Sequence, residues 1–554
     1  MNMNRCSTSS LVPFALALST LAGLALVLTA PAFAQGRHAI GLSAHGAQVW
    51  IEEGSFPLGP EANAHYGWAV TAGDFNNDGY DDLVVGAPND DWLPGIFEAG
   101  SVQVRFGAPA GALEVVLPVV PWNNATDPSE EEDQYGYALA AGDFNGDGHD
   151  DLAVGLPGND YFDGTNLHSM GGVQLHFGLE NSDGRIQPVA EYSFSQVLGD
   201  GLPGPGFDDE GFGSALAFGD FNGDGKDDLA VGIPWDRRDC PSGGCSAGAV
   251  MVIDLNAQGV FGGYLMALGL QGLPGTPAAG DQFGRAVATG DWNGDGFDDL
   301  AIGLPGRSAN RGAVLVVYGS PFSLLFANHQ LLDQGSFGDL IEINDSFGRS
   351  LAGGDFNGDG YDDLAMGAPG EGIGTPAQLE AGEVIVSYGT AAGLSTVGAP
   401  WLSEDGIFGG GSEQSDAFGS ALAAGDFDGD GLADLAIGGD GEDAEAGFNA
   451  GAVTVIRGNV AGLAGSPTRQ LRPGAHPIGM IPSRLGESDE FAHYGSALAT
   501  GDFDGNGSAD LAIGGPLRDV GDAGGAGAVA VVYGQLFVDG FESDDALEWS
   551  TLLP

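Results

Sequence analysis

Seven stretches of this sequence carry oxygen-bearing side chains at a spacing that suits a hard cation. Each reads Asp-x-Asn/Asp-x-Asp/Asn-Gly-x-x-Asp-Leu. Side chains at positions 1, 3 and 5 can converge on one ion, and Gly at position 6 permits the sharp turn this requires. Position 7 contributes through its backbone carbonyl, so its side chain is free to vary. The candidate ligands in chain order are Asp74, Asn76, Asp78, Tyr80 and Asp82, then Asp143, Asn145, Asp147, His149 and Asp151. The third and fourth loops supply Asp220, Asn222, Asp224, Lys226 and Asp228, and Asp291, Asn293, Asp295, Phe297 and Asp299. The fifth supplies Asp355, Asn357, Asp359, Tyr361 and Asp363. The last two supply Asp426, Asp428, Asp430, Leu432 and Asp434, and Asp502, Asp504, Asn506, Ser508 and Asp510. Lys226 cannot ligate through its side chain, which favours the carbonyl at position 7.

A helix–loop–helix calcium site opens the same way but needs Glu at position 12. Here position 12 is Val85, Val154 and Val231 in the first three copies, inside an apolar run. The loop therefore joins two strands. An all-oxygen protein cage suits calcium better than magnesium, with up to seven ions. The competing reading of a single loop is an acidic turn held by Asx hydrogen bonds. Sevenfold repetition favours calcium in most of the loops. The adjacent Asp81, Asp150, Asp227, Asp298 and Asp362 are read as solvated, or as outer support for the ion.

The loops must be positioned by short strands. The first Asp recurs at separations of 64 to 77 residues, and such a repeat sets the architecture. An apolar segment such as Ala138-Leu139 precedes each loop, and a run such as Asp151-Leu152-Ala153-Val154-Gly155 follows. A third strand alternates, as in Val102-Gln103-Val104-Arg105-Phe106. With a weaker fourth strand, each unit forms one antiparallel blade. The fold class is all-β, a seven-bladed β-propeller of four-stranded antiparallel blades. A linear solenoid would need atypical end units, and the seven copies are alike. Blade seven lacks sequence for its outer strand, whereas Gly46 to Ile51 belongs to no repeat. That segment is expected to complete blade seven.

The units resemble FG-GAP repeats, the blades of the integrin α-subunit propeller. The matching residues are the aromatic-Gly pairs Tyr66-Gly67, Tyr135-Gly136, Phe212-Gly213, Phe283-Gly284, Phe347-Gly348, Phe418-Gly419 and Tyr494-Gly495. Gly-x-Pro ends follow, such as Gly86-Ala87-Pro88 and Gly367-Ala368-Pro369; the sixth departs as Gly438-Gly439-Asp440. The resemblance implies a calcium-bearing propeller with adhesive relatives. Integrin leg domains and a transmembrane helix find no counterpart in these residues.

Residues 1–34 read as a secretory leader: Arg5, an apolar stretch from Leu11 to Ala30, and a cleavage site at Ala32-Phe33-Ala34. An uncleaved anchor is the alternative, since the apolar run is near spanning length. The propeller is assigned to 35–537 and a tail to 538–554. A secreted or cell-surface location follows. Cys240 and Cys245 would then pair as a loop disulfide.

The chain has 77 Asp+Glu against 16 Lys+Arg, a formal net charge of −61. Such a chain repels nucleic acid, and bound cations would relieve its self-repulsion. Catalytic signals are weak. Gly244-Cys245-Ser246-Ala247-Gly248 matches a nucleophile elbow but precedes a strand, and the His residues show no metal-binding spacing. The expected function is a non-enzymatic binding or adhesion module for an extracellular protein or glycan. A secreted hydrolase and a structural surface protein are the alternatives. Recognition is expected on the face opposite the acidic loops, through insertions bearing Trp92, Phe97, Tyr161 and Phe162.

Overall fold

The runs that follow each acidic loop, such as Asp-Leu-Val-Val-Gly-Ala, are apolar without alternation because both of their faces are covered. A computed structural model of the chain describes residues 48–51, 62–91, 98–109, 113–115, 132–162, 167–178, 192–194, 210–237, 246–255, 261–270, 272–373, 380–408, 413–443, 449–463, 465–466, 468–473, 480–481, 492–519 and 523–534. The expected leader, the tail, Cys240, Cys245, Trp92 and Phe97 lie outside these residues, as do the side chains of Tyr161 and Phe162.

The strands form seven blades. Blade one consists of Ala69–Gly73, Asp82–Ala87, Ser101–Phe106 and Glu114–Val115, in that order from the inside outward. Blades two to five repeat the antiparallel order with inner strands Ala138–Gly142, Ala215–Gly219, Val287–Gly290 and Leu351–Gly354. Blade six, from Phe418–Gly425, adds a short parallel strand, Met480–Ile481, at its rim. Blade two carries an extra hairpin, Asp160–Phe162 with Leu167–Ser169.

Blade seven is built from both ends of the chain. Its first three strands are Ala497–Gly501, Asp510–Gly515 and Ala528–Val532, and its fourth is Gln48–Ile51. The pairing is antiparallel, with Gln48 opposite Val531 and Ile51 opposite Ala528. The expected closure is therefore observed, and it removes the open edge an incomplete blade would leave.

The core is divided rather than central. Apolar residues gather into one cluster at each blade-to-blade interface. Val102, Val104 and Phe106 of blade one meet Tyr135, Leu152 and Val154 of blade two, and Phe503 and Val529 of blade seven meet Leu83 and Val85 of blade one. Second and third strands such as Asp82–Ala87 and Ser101–Phe106 are buried, whereas inner strands such as Ala69–Gly73 stay partly exposed. That exposure marks a channel along the axis.

The two glycines of each repeat meet across these interfaces. A Cβ on Gly86 would lie 2.1 Å from the carbonyl oxygen of Gly136 in the next blade. The same contact, again 2.1 Å, closes the ring between Gly514 and Gly67. Only glycine lets adjacent backbones approach this closely. Acidic loops join first to second strands and lie on one face, here termed the loop face. Second-to-third connections and blade-to-blade links lie on the other, the link face.

Candidate metal centres and the two faces

Each acidic loop is held in shape by its own amides. The Asp74 carboxylate accepts from the backbone N–H groups of Asp78 and Gly79 at 3.0 and 2.9 Å. Asp355 does the same for Gly358, Asp359 and Gly360 at 2.7, 3.2 and 2.9 Å. The position-6 glycines, such as Gly79 and Gly360, both have φ of +87°, a region L side chains avoid.

Position 9 is the buried anchor. The Oδ1 atoms of Asp82, Asp151, Asp299 and Asp363 accept from the amides of Gly107, Gly178, Gly319 and Gly389, just beyond the third strand, at 2.8 to 3.0 Å. In loops four to seven the other oxygen accepts from the position-2 amide, as at Trp292, Phe356, Phe427 and Phe503. Burial pushes these carboxyls up first, and neighbouring acids add to it. Asp82 reaches about 9, Asp151, Asp228, Asp299 and Asp510 about 8, and Asp363 and Asp434 about 7. Without a counter-cation these groups resist ionisation.

In loops six and seven, positions 1, 3 and 9 converge. Ligand oxygens of Asp426, Asp428 and Asp434, and of Asp502, Asp504 and Asp510, all lie within 4.8 Å of one another. Position 3 is Asn in loops one to five; in loops two to five its amide turns toward position 9, as when Asn145 donates to Asp151 at 3.2 Å. Position 5 is tied to the turn: one carboxylate oxygen of Asp78, Asp359 and Asp430 accepts from the position-7 amide at 3.0 to 3.1 Å. The residues fit a cation on one independent ground. In loop one, Oδ2 of Asp82 is buried with no hydrogen bond of normal geometry, and a buried, poorly satisfied carboxylate oxygen is costly unless something positive meets it.

Position-7 side chains leave their own loops. A Cβ on Gly294 would touch Tyr361 at 2.6 Å, and one on Gly505 would touch Tyr80 at 2.4 Å. The Lys226 ammonium donates to the carbonyl of Asn145 at 2.7 Å. The variation at this position is thus a matter of covering the preceding loop.

The acids at position 8 are half-buried, and each supports the first candidate ligand residue of the preceding loop. Asp150 accepts from the Asp74 amide of the preceding blade at 2.8 Å, while its own N–H donates to the Asp74 carbonyl. Asp227, Asp298 and Asp362 repeat this on Asp143, Asp220 and Asp291. Asp81 does it to Asp502 across the ring closure, at 2.8 Å. They are blade-to-blade clamps. In blades six and seven Ala433 and Ala509 keep only the backbone half.

Loop six already holds a cation. Arg457 stands at the end of the third strand, where blades four, five and seven have tyrosine. Its guanidinium lies 2.5 Å from Asp428 and 2.8 Å from Asp430.

The link face carries acids of a different kind. Asp281, Asp345 and Asp416 sit two residues before the aromatic-Gly pair and are buried. Asp281 pairs with Arg307 at 3.7 Å. In blade five the Gln334 amide donates to Glu371 at 2.7 Å. In blade six the corresponding residue is Glu404, which meets Glu442 and Asp416 with ligand oxygens within 4.8 Å. Arg472 pairs with Glu442; burial first raises both glutamates, and after it Asp416 raises Glu404 and Glu404 raises Glu442. A cavity of about 190 Å³ also opens here, lined by Glu98, Glu132, Gln134, Gly158, Asp160 and Ser169. Ser246 of the elbow-like motif sits in a loop leading into strand Ala249–Leu255, with no helix behind it. That is the wrong setting for a nucleophile.

The repeat family described as FG-GAP matches residues 66–104, 135–168, 212–253, 283–317, 347–387, 418–456 and 494–532. These seven matches coincide with the seven blades. The chain is an FG-GAP repeat protein. Among curated relatives of this FG-GAP protein, integrin alpha-8 of Mus musculus is 31% identical over 54% of this chain and 25% of its own length. Integrin alpha pat-2 of Caenorhabditis briggsae is 31% identical over 43% of this chain and 18% of its own. The phosphatidylinositol-glycan-specific phospholipase D of Homo sapiens is 29% identical over 62% and 35%. The FG-GAP chain thus spans only about a fifth to a third of these relatives. A solved exotype rhamnogalacturonan lyase, at 11% identity and a TM-score of 0.39 over 88% of this chain and 72% of its own, is too distant to argue from. Among the described residues no helix is long and apolar enough to cross a membrane.

Proposed function

We propose that this FG-GAP protein is an exported, calcium-loaded binding module that presents its link face to an extracellular protein or glycan and catalyses no reaction. The convergence of positions 1, 3 and 9 in loops six and seven, in a loop pattern repeated seven times, carries the reading. Side chains at positions 1, 3, 5 and 9 and the carbonyl at position 7 would hold each ion. Bound calcium supplies positive charge to carboxyls that burial disfavours, and it stiffens the loop face. A rigid scaffold of this kind suits recognition by connections on the opposite face. The integrin relatives support an adhesive role outside the cell.

Calorimetric titration of calcium into the chelator-stripped chain tests the metal part. Six or seven sites in the ~0.1–1 mM range are expected, and absence of binding at millimolar calcium overturns it. The phospholipase D relative motivates one competing reading, a hydrolase. Phosphodiester and glycoside hydrolysis assays with and without calcium decide between them.

A further inference from the structure

The residue that follows each aromatic-Gly pair opens an inner strand, so the seven equivalents ring the axial channel at the link face. Four of them are Trp68, Tyr137, Arg285 and Arg349, and the other three are serines. The rings of Trp68 and Tyr137 lie 5.4 Å apart across blades one and two, tilted by 46°, and His65 stacks behind Trp68 at 6.0 Å. Trp68 is 37% exposed. Together they form an aromatic shelf at the channel mouth.

Arg349 of blade five feels Arg285 of blade four, Tyr137 of blade two and Asp440 of blade six. Arg285 and Arg349 hold the same ring position on the adjacent blades four and five, whose inner strands touch, and Arg349 is exposed. Arg285 is the largest influence on it, holding the Arg349 guanidinium down to about 10, still charged at neutral pH. Three other described arginines have acidic partners: Arg307, Arg457 and Arg472 sit on Asp281, Asp428 and Glu442. Among the described residues no carboxylate lies within 4.0 Å of Arg285 or Arg349. In a chain of formal charge −61, two adjacent cations left without carboxylates mark a place prepared for an anion from outside. Guanidinium pairs suit planar or tetrahedral oxyanions, and a partly exposed Trp–Tyr shelf suits the apolar face of a ring.

We propose that the axial mouth of the link face binds the charged end of an acidic saccharide, its carboxylate or sulfate between Arg285 and Arg349 and a sugar ring on Trp68 and Tyr137. This rests on the binding-module reading and adds the ligand class. The surrounding acidity disfavours nucleic acid and other dense polyanions, and one charge per ring is what two arginines can neutralise.

Saturation-transfer NMR and calorimetry on the full calcium-loaded chain test it, with glucuronate, glucose 6-sulfate, glucose and sulfate as probes. At least one acidic sugar should bind, better than glucose and better than sulfate alone; which one wins separates carboxylate from sulfate. Arg285→Gln with Arg349→Gln should weaken binding by more than about tenfold, and Trp68→Ala by about tenfold, while both melt as the parent does. Equal binding of glucose and the acidic sugars, binding unchanged in the double variant, or no binding of any acidic sugar at about 10 mM overturns the proposal. Calcium titration is indifferent to these outcomes, so the module reading stands or falls separately.

Discussion

The two faces of the propeller treat the same side chain in opposite ways. On the loop face, carboxylates are woven into their own loops by backbone amides and converge in sets that a cation can enter. On the link face, Asp281, Glu371 and Glu442 are buried and matched one to one with Arg307, Gln334 and Arg472. Carboxylate oxygens also converge within 4.8 Å on the link face, in Glu342–Asp345–Glu371 and Glu404–Asp416–Glu442, but there an arginine or glutamine of the chain reaches in, whereas the loop-face sets, loop six apart, have only their own turn amides. Calcium dependence of folding is therefore expected through the loop face first.

The largest expected effect is removal of that external partner. At tenfold excess over its dissociation constant each ion contributes about 1.4 kcal/mol, so seven approach ~10 kcal/mol. Chelation at low salt should lower Tm by about 10 °C for a ring of this size. A melting curve that EDTA leaves in place would erase the contrast between the faces.

Next in size is a change that strikes the interfaces between blades. Gly232→Ala would set its Cβ 2.1 Å from the Gly284 carbonyl oxygen and should cost more than about 3 kcal/mol in denaturant unfolding. An unchanged midpoint would show that the blades can slide apart cheaply.

Asp362→Ala removes a clamp but leaves what Ala433 and Ala509 already manage with. A loss of about 1–2 kcal/mol is expected, with the calcium stoichiometry unaltered. A lost calcium site would return position 8 to the ion's surroundings.

The smallest effect sharpens the link face. Glu404→Gln copies the Gln334–Glu371 pair of blade five. Burial raises the Glu404 and Glu442 carboxyls above their unfolded values, so their ionisation opposes folding. The parent thus loses stability as pH rises from the unfolded glutamate range through the raised folded values. Glu404→Gln should stabilise by about 1 kcal/mol at pH 8 and change little at pH 4.5. Equal effects at both pH values would mean that the pair does not titrate with folding.

The ring, the blade order and even the strand borrowed from residues 48–51 were legible, because seven copies of one pattern leave few ways to arrange them. Several charges were not. Asp150 looks like a solvated neighbour of Asp151 until the preceding blade is set beside it, since its partner Asp74 lies 76 residues away. Arg457 on Asp428, and Arg105 buried against the Tyr66 hydroxyl at 3.1 Å, were hidden for the same reason. The link-face acids left a trace that sequence alone could have yielded: Asp133, Glu210, Asp281, Asp345 and Asp416 all fall two residues before the aromatic-Gly pair. Repetition reveals what each blade shares, whereas contacts between unlike positions of successive blades need coordinates.

The strand Gln48–Ile51 gives assembly an order in time. Its partner Ala528–Val532 lies about 480 residues downstream, a separation whose closure is entropically costly and slow. Six blades can form as the chain emerges, but the seventh must wait until its last residues arrive and the segment from the start is still free to receive them. Until then blade seven exposes a bare edge and blade one an uncovered interface. The interval between finishing synthesis and capturing residues 48–51 is when this protein is most open to aggregation and proteolysis. A cut between that segment and blade one would leave the fourth strand of blade seven held by its backbone pairing alone.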